Sequence, residues 1–189
     1  NKKKKKNILN QITIKLKLDN NIHNIKLFNN GSISMTGVKS KDTGFKAIQL
    51  LFKNLIDIKN ETIFLEENPF IEKFEIVLIN SDYNIGYELI RSELHQLLVN
   101  KFKIYSSFEP CIYPGVNSKY FWNKNYKNKE YLGKCYCSSF CNGKGNGYGE
   151  NNCKKITISA FQSGSIIITG AQTIEQITDS FNFINKIFN

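Results

Sequence analysis

Residues 25–37 read IKLFNNGSISMTG and residues 158–170 read ISAFQSGSIIITG, the second 133 positions after the first. Phe28 matches Phe161, Gly31 matches Gly164, Ser32-Ile33 matches Ser165-Ile166, and Thr36-Gly37 matches Thr169-Gly170. Similarity held at one period marks an internal repeat, a supersecondary unit used twice. Each copy sets a turn pair, Asn30-Gly31 or Ser163-Gly164, between two runs of alternating polarity, and this is the pattern of a β-hairpin. In the first copy Ile25, Leu27, Ile33 and Met35 fall on one face; Lys26, Phe28, Ser34 and Thr36 fall on the other. In the second, Ile158, Ala160, Ile166 and Ile168 oppose Ser159, Phe161, Ile167 and Thr169. The apolar face belongs beneath a helix. The opposite face is mixed, yet it carries a Phe at the equivalent position of both copies. One exposed aromatic needs no explanation, whereas two at matching positions favour a binding surface.

Outward from the hairpins, a helix is expected after each copy, over 42–56 and 173–188. Thr173-Ile174-Glu175-Gln176 is a capping box, and Ile174, Ile177, Phe181, Ile184 and Phe188 recur at helical spacing as a core-facing stripe. Between the copies, 74–79 read as a strand and 85–100 as a helix with Ile90, Leu94, Leu97 and Leu98 as its apolar stripe. A further strand, 116–122, is reached through Pro114-Gly115, and a strand over 11–18 precedes the first hairpin. The second unit therefore reads strand–helix–strand–strand–strand–helix. The first shows only the later part of that order, so its opening strand and helix are expected to be absent from this chain.

Composition permits this α+β reading and removes others. Hydrophobic residues make up 41% and aromatics 13% of 189 residues, too apolar for a disordered chain and enough for one core or two small halves. Apolar runs such as Ile166-Ile167-Ile168 fall far short of the ~20 residues of a membrane span. The start, Asn1 followed by Lys2 to Lys6, has no apolar segment behind it and is no secretory signal; the chain reads as part of something longer. Collagen, coiled coil and secreted mini-protein are excluded. The net charge of +10 fits nucleic acid, an anionic surface or plain solubility. Arg91 is the single arginine, and this lysine- and asparagine-rich style also fits an AT-rich coding sequence, so charge alone does not choose. Lys2–Lys6 reads as a solvated tail, with weak phosphate binding as a second reading.

The paired Phe-x-(Asn/Ser)-Gly-Ser-Ile-x-x-Thr-Gly segments, each followed by a helix, resemble the two repeats of the TATA-box-binding protein family. Phe108-Glu109-Pro110-Cys111-Ile112-Tyr113-Pro114-Gly115 is similar to the Glu-Pro-x-x-Phe-Pro-Gly stretch of that family's second repeat. The style is most like that of divergent TATA-binding-like proteins of large DNA viruses. The resemblance implies a saddle: two pseudo-repeats sharing a curved antiparallel sheet, with helices on its convex face. Residues 1–72 would form the first, N-terminally incomplete repeat with its basic tail, and 73–189 the second, with an insertion at about 123–155. The two hairpins would be related by a pseudo-twofold axis. The resemblance also implies minor-groove binding, in which apolar wedges offset the cost of unstacking base steps. By position Phe28 and Phe161 match one wedge in each repeat and Tyr113 the second wedge of repeat two. Thr36 and Thr169 match threonines that touch base edges, and Lys17, Lys39 and Lys119 match positions that meet phosphates. Gln11 lies near the place of the remaining wedge, and the base-reading Asn expected in the opening strand of repeat two is missing near Phe74-Glu75. Lys26 and Ser34 stand where the family prefers apolar contacts.

Four of the five cysteines cluster as Cys135-x-Cys137-x-x-x-Cys141 and then Cys153. Four thiolates in a Gly- and Asn-rich loop suit a structural Zn²⁺, whose binding would order a segment with almost no core. Free thiols are the alternative, and disulfides fit an intracellular chain less well. Cys111 is left over and is expected to be a buried apolar thiol. Gly143-Lys144-Gly145-Asn146-Gly147-Tyr148-Gly149 follows no strand and lacks the Gly-Lys-Ser/Thr ending of a phosphate-binding loop. His23, beside a turn, and His95, on a helix, have no catalytic partners in the pattern, and no nucleophile–base set stands out.

The reading is a non-enzymatic, monomeric transcription initiation factor that bends AT-rich double-stranded promoter DNA. Its protein partners would be basal transcription factors or RNA polymerase subunits, with no membrane, in a host nucleus or a cytoplasmic viral factory. A protein-binding scaffold of the same fold, or an accessory domain of a nucleic-acid enzyme, are the alternatives.

Overall fold

Asp19 and Asn20 both adopt positive φ, 47° and 62°, the conformation a two-residue hairpin turn requires. They join β1 (Gln11–Leu18) to β2 (Asn21–Phe28), and β3 (Ile33–Thr36) continues the sheet in the order β1-β2-β3. The computed structural model describes residues 10–57, 70–125, 132–137, 141, 143–148 and 152–188; Lys2–Lys6 lie outside them. These residues divide into two compact units, Asn1–Glu75 and Ile76–Asn189. In the first, Ile25 opposes Met35 and Leu27 opposes Ile33. α1 (Lys41–Ile56) brings Ala47 and Leu51 onto Leu16 and Ile25. α1 begins at Ser40, whose Oγ accepts the Thr43 N–H at 3.1 Å, a cap of about 1 kcal/mol.

The second unit runs β4 (Ile79–Asn84), α2 (Arg91–Asn100), β5 (Tyr105–Ser107), β6 (Val116–Trp122), β7 (Lys154–Ala160), β8 (Ser165–Ala171) and α3 (Ile174–Phe188). Its antiparallel sheet has the order β4-β8-β7-β6-β5. Val116, Tyr120, Trp122, Ile156, Ile158, Ala160, Ile166 and Ile168 form one buried face, covered by Leu94 and Leu98 of α2 and by Phe183, Ile184 and Ile187 of α3. Trp122 donates its indole N–H to Asp179 at 2.7 Å, so the largest core side chain keeps its polar atom satisfied. Among the described residues the strands pair as two sheets, one in each unit.

The repeat is exact at the level of backbone bonds. Phe28 N–H donates to Ser32 O at 2.9 Å and Gly31 N–H to Phe28 O at 3.0 Å; Phe161 with Ser165 and Gly164 with Phe161 give the same two distances. Gly31 and Gly164 sit at φ 81° and 78°, while Asn30 and Ser163 do not share the positive φ. The loops are thus three-residue turns closed by a glycine bulge rather than two-residue turns. β1, β2, β3 and α1 correspond to β6, β7, β8 and α3.

Several sequence expectations shift. The strand expected at 74–79 begins at Ile79, because Phe74 packs on α1: its ring stands edge-on to Phe45, 5.9 Å away, over Gly44. The second helix starts at Arg91, not 85, and Ile90 is its exposed N-cap. The short strand β5 lacks any sequence signal. On α3 the buried side is Gln176, Ser180, Phe183, Ile184 and Ile187, whereas Ile174 and Phe181 are exposed. Hydrogen bonding explains the rotation: Gln176 Oε1 accepts the Gln172 N–H at 2.7 Å, its own N–H reaches Thr173 Oγ1 at 3.2 Å, and Ser180 Oγ donates to Gln176 O. Polar residues that satisfy the backbone are buried here at little cost. His23 is buried on the core face of β2, with no hydrogen-bond partner for either ring nitrogen among the described residues. His95 Nδ1 meets Ser106 Oγ at 2.9 Å. Cys111 is exposed, not buried, because it rides on the turn in which Ile112 and Tyr113 both donate to Glu109 O. No helix among the described residues is long and apolar enough to cross a membrane.

Candidate nucleic-acid interface and metal centre

Alternation along each strand sends every second side chain to the face away from the helices. In the first unit that face carries cross-strand rows fixed by register: Gln11 with Phe28, Thr13 with Lys26 and Ser34, Lys15 with Asn24 and Thr36, and Lys17 with Ile22. In the second unit the rows are Tyr105, Lys119, Thr157 and Thr169; then Ser107, Asn117, Ser159 and Ile167; then Phe121 and Lys155. The register brings Thr36 and Thr169 to the same place in their units, opposite Asn24 and Thr157. Lys119 Nζ donates to Thr157 Oγ1 at 2.8 Å. Burial, with Lys155 as a like charge nearby, pulls the Lys119 ammonium below its ordinary value, so its charge is held at some cost. Lys39 is exposed in the loop ahead of α1.

Phe28 and Phe161 stand half-buried at the first position of the two equivalent turns, on the helix-free face. Phe161 lies beside Tyr113, with ring centroids 5.7 Å apart. Both rings rest on Gly115, where a Cβ would come within 2.9 Å of Tyr113 Cε1 and 3.1 Å of Phe161 Cε1. Gln11, in register with Phe28, therefore corresponds to Gly115 and not to Tyr113. The counterpart of Tyr113 falls two residues earlier, at position 9, outside the described residues.

Sequence reasoning missed Lys15, which register equates with Lys119 and which strand alternation counted from β1 would have found. It also missed Ile112, 80% exposed next to Tyr113. The opening strand expected near Phe74-Glu75 is β4, which carries Asn80, exposed beside a bulge, and Asn84, whose amide donates to Ser163 O at 3.1 Å.

Cys135, Cys137, Cys141 and Cys153 bring their Sγ atoms within 4.8 Å of one another and could hold a metal ion. Cys141 lies 3.7 Å and Cys153 3.8 Å from Cys135. Tetrahedral Zn–S bonds of ~2.3 Å place sulfurs roughly 3.8 Å apart, so the donor set fits. The cluster is framed by backbone. Phe121 N–H donates to Gly133 O at 3.0 Å, Lys155 N–H to Gly145 O at 2.7 Å and Gly147 N–H to Cys153 O at 2.9 Å. Burial would raise Cys141, but the Gly145 N–H at 3.3 Å and the neighbouring thiols hold it below its ordinary value. Burial pushes Cys137 up to about 11 and Cys153 higher still, so a metal-free cluster holds protons that a metal would displace. The glycine-rich stretch serves this cluster: Gly143, Gly145 and Gly147 all take positive φ.

No protein-family model matches the chain. It is 32% identical over 203 aligned residues to a TATA-box-binding protein-like protein of Acanthamoeba polyphaga mimivirus, across 97% of this chain and 48% of that protein. The chain thus spans about half the length of the curated relative it matches. The structure is similar in fold to Methanococcus jannaschii TBP, with a TM-score of 0.55 at 20% identity, over 93% of this chain and 76% of that one. The duplicated hairpins, the α+β build of each unit and the likeness in sequence and in fold agree: the chain belongs among the TATA-box-binding-protein-like proteins.

Proposed function

We propose that the chain is a DNA-binding transcription initiation factor that enters the minor groove of AT-rich promoter DNA and bends it. The repeats 1–72 and 73–189 would each supply a wedge. The observation that carries this reading is the matched placement of Phe28 and Phe161 at identical turns, on helix-free faces rich in lysine, threonine and asparagine. An apolar wedge lowers the cost of a kink, and lysines on the same face neutralise phosphates. Thr36, Thr169 and Asn80 face base edges in this reading; Lys15, Lys17, Lys39 and Lys119 face phosphates. Basal transcription factors or RNA polymerase subunits are the protein partners, the chain acts as a monomer, and the setting is a host nucleus or a viral factory. Cys135, Cys137, Cys141 and Cys153 hold a structural Zn²⁺ that orders the insertion. A circularly phased bending assay on AT-rich duplexes, combined with affinity over a range of salt, tests the reading. Bending with a linear log–log salt slope supports it, and absence of both transfers the helix-free faces to a protein-binding role.

A further inference from the structure

Arg91 is the single arginine among 26 basic residues, and it occupies the one place where a planar fork is used. From the first position of α2 its Nη1 donates to Pro114 O at 2.5 Å and its Nη2 to Gln162 Oε1 at 3.1 Å. Its guanidinium also lies over the Phe108 ring, 5.2 Å from the centroid. Pro114 directly follows Tyr113 in the chain, and Gln162 directly follows Phe161. Arg91 therefore ties together two loops 48 residues apart, at Pro114 and Gln162, each carrying one ring of the aromatic pair. Lysine cannot substitute, since an ammonium is a point donor with no flat face for Phe108 and no second arm at a fixed angle. Leu89 N–H donates to Gln162 O at 2.9 Å just ahead of the helix, which holds the Phe161 turn against the same segment.

We propose that Arg91 is a positioning residue that sets the separation of Tyr113 and Phe161, so that the two rings act as one wedge of fixed width. The proposal rests on the DNA-bending reading for its consequence, while the clasp itself is a property of the free protein. A wedge works by matching the gap of an unstacked step, and rings whose supporting loops drift apart lose that match without losing any contact atom.

The test uses the full chain with Arg91→Lys and Gln162→Ala, each alone and with Phe161→Ala. In free protein, amide exchange should rise in both 109–115 and 161–165 for Arg91→Lys, and less for Gln162→Ala. On an AT-rich duplex Arg91→Lys should weaken binding by about tenfold, the scale of one charge-assisted hydrogen bond, and reduce the bend. In the Phe161→Ala background the further loss should shrink to less than about twofold, because a positioning residue has nothing left to position. Unchanged exchange in either loop overturns the clasp. An equal loss in both backgrounds overturns the positioning role and makes Arg91 a phosphate contact. A parent chain that bends no duplex overturns the DNA reading instead, and exchange then still decides the clasp.

Discussion

Tyr113 and Phe161 hold their ring centroids 5.7 Å apart, tilted by 58°. The two rings arrive from different strand ends and share Gly115 as a floor, so they form one aromatic unit before any ligand is present. Such a pair is worth about 0.5–1.5 kcal/mol beyond its burial. In the proposed role the ring would stabilise an unstacked step, so Phe161→Ala is expected to weaken binding to AT-rich duplexes by roughly tenfold or more and to lower the bend angle. Tyr113→Phe should bind slightly tighter than the parent, because no hydroxyl then needs a partner inside the stack. Circular phasing and fluorescence anisotropy read both. Unchanged bend and affinity in folded Phe161→Ala would remove the wedge.

Lys119 presents a trade between stability and binding. Its ammonium is held below its ordinary value by burial and by Lys155. A lysine with a depressed value in the fold costs stability at neutral pH, and that cost fades as pH rises past the ordinary lysine range. Lys119→Met should therefore raise the melting temperature modestly at pH 7 and lose that advantage near pH 11. The same variant should weaken DNA binding for all sequences alike and lower the salt slope by about one unit. Thermal melts against pH and salt titrations check the two halves separately.

Gly31 and Gly164 occupy the same turn with different neighbours. At Gly31 a methyl group meets nothing within 4 Å, while at Gly164 it would overlap the Tyr87 carbonyl oxygen. Gly31→Ala should cost about 1 kcal/mol, the strain of a side chain at positive φ. Gly164→Ala should cost roughly 2 kcal/mol more, since backbone must move. Denaturant unfolding of both variants measures the difference, and equal costs would contradict the two environments.

The thiol cluster gives opposite pH signatures with and without metal. Protein purified without chelator should carry one zinc per chain and release it as pH falls, because protons compete for the thiolates. In metal-free protein Cys137, raised to about 11 by burial, favours its protonated form in the fold. The stability it lends is present below the ordinary thiol range and is lost as pH rises through about 11. Elemental analysis and a colorimetric zinc-release titration decide the first part, and alkaline melts the second. Cys141→Ser should lower zinc stoichiometry while leaving the core of the second unit folded.

The sequence shows what is repeated and misplaces what is not. Hairpins, their helices and the cysteine cluster were legible because Gly31/Gly164, the capping box at Thr173 and the spacing of Cys135, Cys137 and Cys141 are local signals. The opening strand of the second unit is displaced because 74–79 (FEIVLI) is the apolar run, while the true strand Ile79–Asn84 (INSDYN) is mostly polar by letter, and Phe74 packs on Gly44 instead. The buried side of α3 was misread because Gln176 and Ser180 are polar by letter and satisfied by geometry. Arg91 was seen only as a count, since its meaning lies in two loops brought together from distant sequence.

The connection between β1 and β2 is two residues long, Asp19 and Asn20, while the corresponding connection between β6 and β7 holds the whole cysteine insertion. Loop length at a strand end is thermodynamically cheap, growing only as its logarithm, and the second unit demonstrates that this end tolerates cargo. Asp19-Asn20 is thus a natural port for protein engineering. A fluorophore, an affinity handle or a transplanted copy of residues 123–153 placed there would sit about 24 Å along β2 from Phe28. It would report on the first unit from the end of the strand opposite Phe28.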